Sequence, residues 1–198
     1  GPVLSQTGRL GYYRFPTLHG DTIVFGAEGD LWVVSDSGGL ARRLTTHAEE
    51  ETDPAISPDG STLAFTARYE GPAEVYTMPL HGGLPTRRTY EAEPSSVTGW
   101  APDGRLLYTT AHFSTLPNPQ MVAVSLEGGA QERLPLAEAS EGVYAADGET
   151  FFFVRPAFHR NVTKRYRGGT ARNIWRFAPG MDEAVELTGD YDGESHSP

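Results

Sequence analysis

The sequence predicts an all-β protein, a β-propeller of four-stranded antiparallel blades, and three observations carry that prediction. One turn recurs: "SPDG" at 57–60, "APDG" at 101–104 and "AADG" at 145–148, each copy 44 residues after the last. One offset recurs: Trp32 to Leu44, Tyr76 to Arg88, Val122 to Leu134 and Trp175 to Leu187 are each 12 residues apart. No segment sustains the 3.6-residue apolar period of an amphipathic helix. An immunoglobulin-like sandwich, the competing all-β arrangement, would not repeat at a fixed interval.

Each unit reads as strand, turn, strand, loop, strand, Gly-Gly turn, strand. The turn chemistry fits its place: proline presets φ near −65°, aspartate bonds its own backbone, and glycine accepts positive φ. Short runs of aliphatic, aromatic and Thr residues follow the turns: 62–66 (TLAFT), 106–110 (LLYTT) and 150–154 (TFFFV). Residues 19–27 (HGDTIVFGA) fill the same slot with a degenerate turn. A second strand set starts at Asp30, Glu74, Gln120 and Asn173, each a polar residue followed by alternating apolar positions. Gly38-Gly39, Gly82-Gly83, Gly128-Gly129 and Pro179-Gly180 then turn the chain into RRLT, TRRT, ERLP and VELT. Residues 11–19 (GYYRFPTLH) serve as the innermost strand of the first unit. The units fall at about 11–45, 46–89, 90–135 and 136–188, and a fifth would begin at 195–198. Residues 1–10 form a tail, and Gly1-Pro2 matches the remnant that a cleaved tag leaves.

Composition narrows the function. A formal net charge of −10 opposes sequence-independent nucleic-acid binding and docking to an anionic membrane. The absence of cysteine excludes disulfides and thiolate metal sites. No apolar run reaches the roughly 18 residues of a membrane-spanning helix. The expected compartment is the cytoplasm, or the periplasm if a signal peptide has been removed. No Gly-x-Ser-x-Gly elbow is present. His19, His47, His81, His112, His159 and His196 lack metal-binding spacing, so neither metal nor cofactor is expected.

Residues 18–34 (LHGDTIVFGAEGDLWVV), the repeated turns and 164–177 (KRYRGGTARNIWRF) resemble the N-terminal propeller of tricorn-type proteases. The resemblance covers about 11–198, and "YRGGT" before the Ile-Trp strand is its most specific element. The turns alone also occur in TolB-like propellers and in propellers attached to prolyl-oligopeptidase-type and amidohydrolase enzymes. The resemblance implies a six-bladed propeller, of which this chain would hold about four blades. It also implies a large, multimeric serine peptidase that trims oligopeptides, with two propellers, a PDZ-like module and catalytic domains. Catalytic Ser and His would lie beyond Pro198, so no catalytic residue is carried over. The expected role is non-catalytic: substrate guidance, gating and assembly. The alternatives are a TolB-like protein–protein binding module without peptidase activity and, more weakly, the propeller arm of an amidohydrolase. Expected partners are peptides, the remaining domains of the same protein, and a second copy of the chain.

Departures from the repeat mark the candidate sites. Phe65 to Glu74 is nine residues, whereas Phe152 to Asn173 is 21. The insertion carries Arg155, Arg160, Lys164, Arg165, Arg167 and Arg172, six of the chain's 16 basic residues. Arginines form bidentate pairs with carboxylates. The insertion could therefore grip the acidic side or C-terminal carboxylate of a peptide, dock a neighbouring domain, or fold back onto the chain's own acidic loops. A smaller insertion occupies 111–119, and 47–54 (HAEEETDP) gathers four carboxylates. That acidic run is either a solvated loop or a contact for a cation or a basic peptide end. All three segments are expected on one rim. Trp32 and Trp175 hold repeated strand positions and are expected in the core.

Overall fold

A computed structural model describes residues 12–115, 118–155, 172–191, 195 and 198. The described residues form four antiparallel sheets of four strands, each in simple up-and-down order. The first blade holds β1 (Arg14–His19), β2 (Thr22–Ala27), β3 (Asp30–Ser35) and β4 (Arg42–Arg43). The second holds β5 (Glu51–Ile56), β6 (Thr62–Ala67), β7 (Glu74–Pro79) and β8 (Thr86–Arg87). The third holds β9 (Ser95–Trp100), β10 (Leu106–Thr110), β11 (Gln120–Val124) and β12 (Glu132–Arg133). The fourth holds β13 (Gly142–Tyr144), β14 (Phe151–Arg155), β15 (Asn173–Phe177) and β16 (Val185–Glu186).

The repeated turn closes the first hairpin of a blade through its aspartate. Asp59 Oδ1 accepts hydrogen bonds from Ser57 Oγ (2.5 Å) and the Ser61 amide (3.1 Å). Asp147 Oδ1 accepts from the amides of Glu149 (2.9 Å) and Thr150 (2.8 Å). Asp103 holds the Arg105 amide (3.1 Å). These bonds favour the ionised carboxylate, and those from Ser57 and Ser61 bring Asp59 down to about 2. The first blade manages without such a turn because β1 and β2 are joined by two residues, Gly20 and Asp21, between the paired His19 and Thr22.

The sheets are stacked like pages around a common edge. β1 adjoins β5, β5 adjoins β9, and β9 adjoins β13, so the first strands of successive blades lie side by side at the inner edge. Side chains alternate between blade faces along each strand, and each seam between blades is filled from both sides. Val24 and Leu31 meet Ile56, Leu63, Phe65, Tyr76 and Met78 at the first seam. Ala64 and Val75 meet Val97, Leu106, Tyr108 and Val122 at the second. Leu107, Met121 and Ala123 meet Phe151, Phe153 and the partly buried Trp175 at the third.

The inner strands are not regular. β1 and β5 each shift register, and the shifted stretch carries a non-glycine residue at positive φ, Phe15 (50°) and Asp53 (52°), followed by proline. β9 makes its shift beside Gly99 (153°). Bulges of this kind bend a strand and re-aim its side chains.

Packing at the third seam depends on Gly142. Its backbone is not left-handed, yet an added Cβ would overlap the Phe151 ring and lie 3.1 Å from Met121 Cε. Gly142→Ala is therefore expected to lower unfolding stability by about 1–3 kcal/mol, the usual cost of overpacking a filled core. Chemical denaturation checks this. An unchanged midpoint would mean that the seam is looser than described.

Candidate functional site

One end of the propeller gathers the loops between second and third strands and the links between blades. Hydrogen bonds fix that arrangement. The Glu51 amide donates to Gly29 O (2.9 Å), Ser95 to Ala73 O (2.8 Å), Ala139 to Pro119 O (3.1 Å) and Ser195 to Arg172 O (2.8 Å). The first three bonds tie the chain entering a new first strand to the residue before the preceding blade's third strand, and Ser195 makes the same bond to the residue before β15. The loop at 111–115, the link at 46–50 and the ends of the basic insertion thus share one rim. The repeated aspartate turns and the Gly-Gly turns lie at the opposite end, where the Leu80 amide donates to Ser61 O (2.9 Å).

Two of the six basic residues predicted for the site are described. Arg155 ends β14, its guanidinium 5.2 Å from the centre of the Trp175 ring, and its carbonyl accepts the Trp175 Nε1–H (3.3 Å). Arg172 precedes β15 and pairs with Glu141 Oε1 through Nη1 at 3.7 Å. Arg160, Lys164, Arg165 and Arg167 lie outside the described residues. His159 and His196 lie outside them as well.

The acidic run 47–54 divides by environment. Glu49 is exposed, and Glu50 pairs with Arg14 (3.5 Å). Glu51, by contrast, is 2% exposed. Its Oε1 accepts the Tyr69 hydroxyl (2.6 Å) and its Oε2 the Thr45 hydroxyl (3.0 Å). The His47 ring lies against Tyr69, centroids 4.0 Å apart. Burial raises the Glu51 pKa above the ordinary carboxylate value, while Tyr69, Thr45, His47 and Arg43 pull the other way. A solvated reading of the run fails at this residue. The available signal was positional: the aligned residue one blade on is Ser95, which is also buried, so position 51 faces a seam.

Asp53 sits on the β5 bulge at the inner edge. Its Oδ2 accepts the Thr52 hydroxyl (2.9 Å). Burial raises its pKa, hydrogen bonds from Thr52 and Thr66 oppose that, and Glu141 and Glu50 raise it further. Glu141 belongs to the fourth blade, so carboxylates from separate blades sense one another across the inner edge. Among the described residues, no group of three or more His, Asp or Glu has the arrangement of a metal site.

A cavity of about 640 Å³ lies against the first blade and extends to the entry of the second. Tyr13, Phe15, Phe25 and Trp32 form its apolar wall, and Glu28, Glu50 and Glu51 reach its edge. Trp175 packs in the third seam as expected. Trp32 instead lines this cavity, its Nε1 donating to Ala27 O (3.1 Å).

Comparison with known proteins gives a consistent result. The tricorn protease N-terminal beta propeller domain, as a family, matches residues 10–198. Tricorn protease homolog 1 of Streptomyces coelicolor is 33% identical over 199 residues, which take in 98% of this chain and 18% of that relative. The crystal structure of the tricorn protease superposes with a TM-score of 0.74 at 25% identity, covering 89% of this chain and 18% of that one. TolB from Acinetobacter baumannii superposes at 0.71 with 20% identity, over 89% of this chain and 43% of its own, a likeness of fold. The chain thus spans 18% of the length of these tricorn relatives.

A raised carboxyl pKa favours the fold most below its unfolded value, and that contribution is lost as pH rises through the folded value. Glu51→Gln removes this dependence. Its stability relative to the parent chain should therefore improve from acid toward neutral pH. Denaturation midpoints measured for both proteins at pH 5 and pH 8 check the sign, and a gap that moves the opposite way would contradict a desolvated Glu51.

Proposed function

This chain belongs to the tricorn protease N-terminal β-propeller family, and we propose that it is a non-catalytic guidance, gating and assembly part of a tricorn-like serine peptidase. The observation that carries this reading is the inner edge. First strands from four blades run side by side there, and Asp53, on the β5 bulge, is a half-buried carboxyl whose pKa burial raises, with Glu141 of the fourth blade adding to it. Closed into a ring by further blades, such strands would line a passage rather than a packed core, which suits the transit of an extended peptide. On this reading the basic insertion and the acidic links of the rim meet the peptide first. Arg155 and Arg172 hold the two ends of that insertion against the fourth blade.

The outer faces of the terminal blades support an assembly role. Phe25 and Trp32 line a cavity on the first blade. Val143, Val185 and Leu187 on the fourth are 43%, 45% and 48% exposed. Apolar surface of this kind is covered in larger assemblies. The expected occupants are further chain of the same protein or, when the segment is alone, a second copy.

Two measurements test this reading. Fluorescence anisotropy with labelled, unstructured oligopeptides should show weak saturable binding to the chain, while mass spectrometry shows the peptides intact. Failure of every peptide to bind would remove the guidance role, and hydrolysis that survives repeated purification would remove the non-catalytic one. Light scattering of the chain by itself should report association above its 21.5 kDa monomer mass. A monodisperse, highly stable monomer would show that the terminal faces need no cover.

A further inference from the structure

Three of the four blades fasten the exit from their last strand in the same way. A threonine just past the fourth strand accepts the amide of the second residue of the third strand: Leu31 to Thr45 (2.8 Å), Val75 to Thr89 (2.9 Å) and Ile174 to Thr188 (2.9 Å). The threonine hydroxyl then donates to a nearby side chain: Thr45 to Glu51 (3.0 Å), Thr89 to Glu74, and Thr188 to Asn173 (3.4 Å). The polar residue that starts the third strand is also held from the fourth strand. Arg43 pairs with Asp30, Arg87 Nη2 with Glu74 Oε1 (2.6 Å), and Asn173 Nδ2 donates to Glu186 Oε1 (2.6 Å).

The third blade has lost this fastening. Pro135 stands where the threonine should be and offers no hydroxyl. Gln120 replaces the acid, and its Oε1 is buried without a partner. Arg133, the counterpart of Arg43 and Arg87, lies over the Phe113 ring at 5.9 Å instead. Ser140 Oγ, on the link into the fourth blade, is likewise buried without a partner, as are the hydroxyls of Tyr76 at the first seam and Tyr108 at the second, so what sets the third blade apart is the lost threonine and acid. Unsatisfied buried polar atoms each carry a desolvation cost that exposure to water removes.

The bonds across the seams follow the same trend. The second seam is crossed by Ser95 N to Ala73 O (2.8 Å), Val97 N to Thr66 Oγ1 (2.9 Å) and Trp100 Nε1 to Ala55 O (3.0 Å). At the third, Ala139 N reaches Pro119 O at 3.1 Å. Thr110, which repeats Thr66, turns its hydroxyl to the amide of His112 in its own blade (3.2 Å). The entering strand β13 is three residues, against six for β5 and β9. The Arg172–Glu141 pair lies within the fourth blade and does not bridge this seam.

We propose that the seam between the third and fourth blades is where this propeller opens, the fourth blade parting as a unit while the first three stay joined. Such local opening is set by the least satisfied contacts of a fold, and here it would widen the inner passage from one side.

Hydrogen exchange followed by mass spectrometry tests this on the chain. The first blade, which also has one uncovered face, is the internal control. Amides of β14 and β15 should exchange about tenfold faster than those of β2 and β3. Gln120→Glu with Pro135→Thr should slow β14 and β15 several-fold and leave β6 and β7 unchanged. Thr89→Val, which removes the same hydroxyl from the second blade, should speed exchange in β10 and β11. Equal exchange in the first and fourth blades overturns the proposal, as does a folded double variant with unaltered β14 and β15. If the double variant does not fold, Thr89→Val decides, and unchanged β10 and β11 then overturn the proposal.

Discussion

The bond that the whole arrangement depends on is the one that hands the chain from blade to blade. A single amide, at Glu51, Ser95 or Ala139, reaches back to the carbonyl before the preceding blade's third strand. It places each new first strand at the inner edge and sets the next sheet face to face with the last. Apolar faces then meet because strand residues alternate, and the three seams fill from both sides. The repeat of the sequence is the repeat of this step. A blade by itself could not bury either face, so stability accrues from neighbours.

Much of that scaffold was legible in the residues. The 44-residue turn spacing and the 12-residue strand offset are consequences of fixed strand lengths and fixed turn types, which sequence records directly. The aspartates of the turns even announce their hydrogen bonds, since their side chains close locally. What sequence does not record is which face a charge meets. Glu51 and Glu50 are neighbours in one acidic run, yet one is sealed in a seam and the other pairs with Arg14 at the surface. Only alignment of the blades distinguishes them. The positive φ of Asp53 is equally silent in sequence, although the proline after it is a hint that the strand does not run straight. Trp32 illustrates the opposite limit. It holds a core position by the repeat, yet it lines a cavity on a face that no described blade covers.

Fold and function separate along the same line. The blades satisfy the requirements of packing and would serve many proteins, which is why TolB superposes at 20% identity. The features that break the repeat are the carboxylates at the inner edge, the basic insertion between β14 and β15, and the missing fastening of the third blade. Among the described residues, the carboxylates lie along the inner edge and the ends of the insertion lie on the rim, which is what the proposed guidance role would use. Its tricorn relatives are far longer, the chain covering 18% of them.

The most direct test of this account is photo-cross-linking in an intact tricorn-type peptidase carrying this segment, with a peptide bearing a benzophenone at its midpoint. The account predicts adducts on the inner strands, within residues 51–56 and 95–100, that unlabelled peptide competes away. Adducts confined to regions outside the propeller, with the inner strands unmodified, would contradict it.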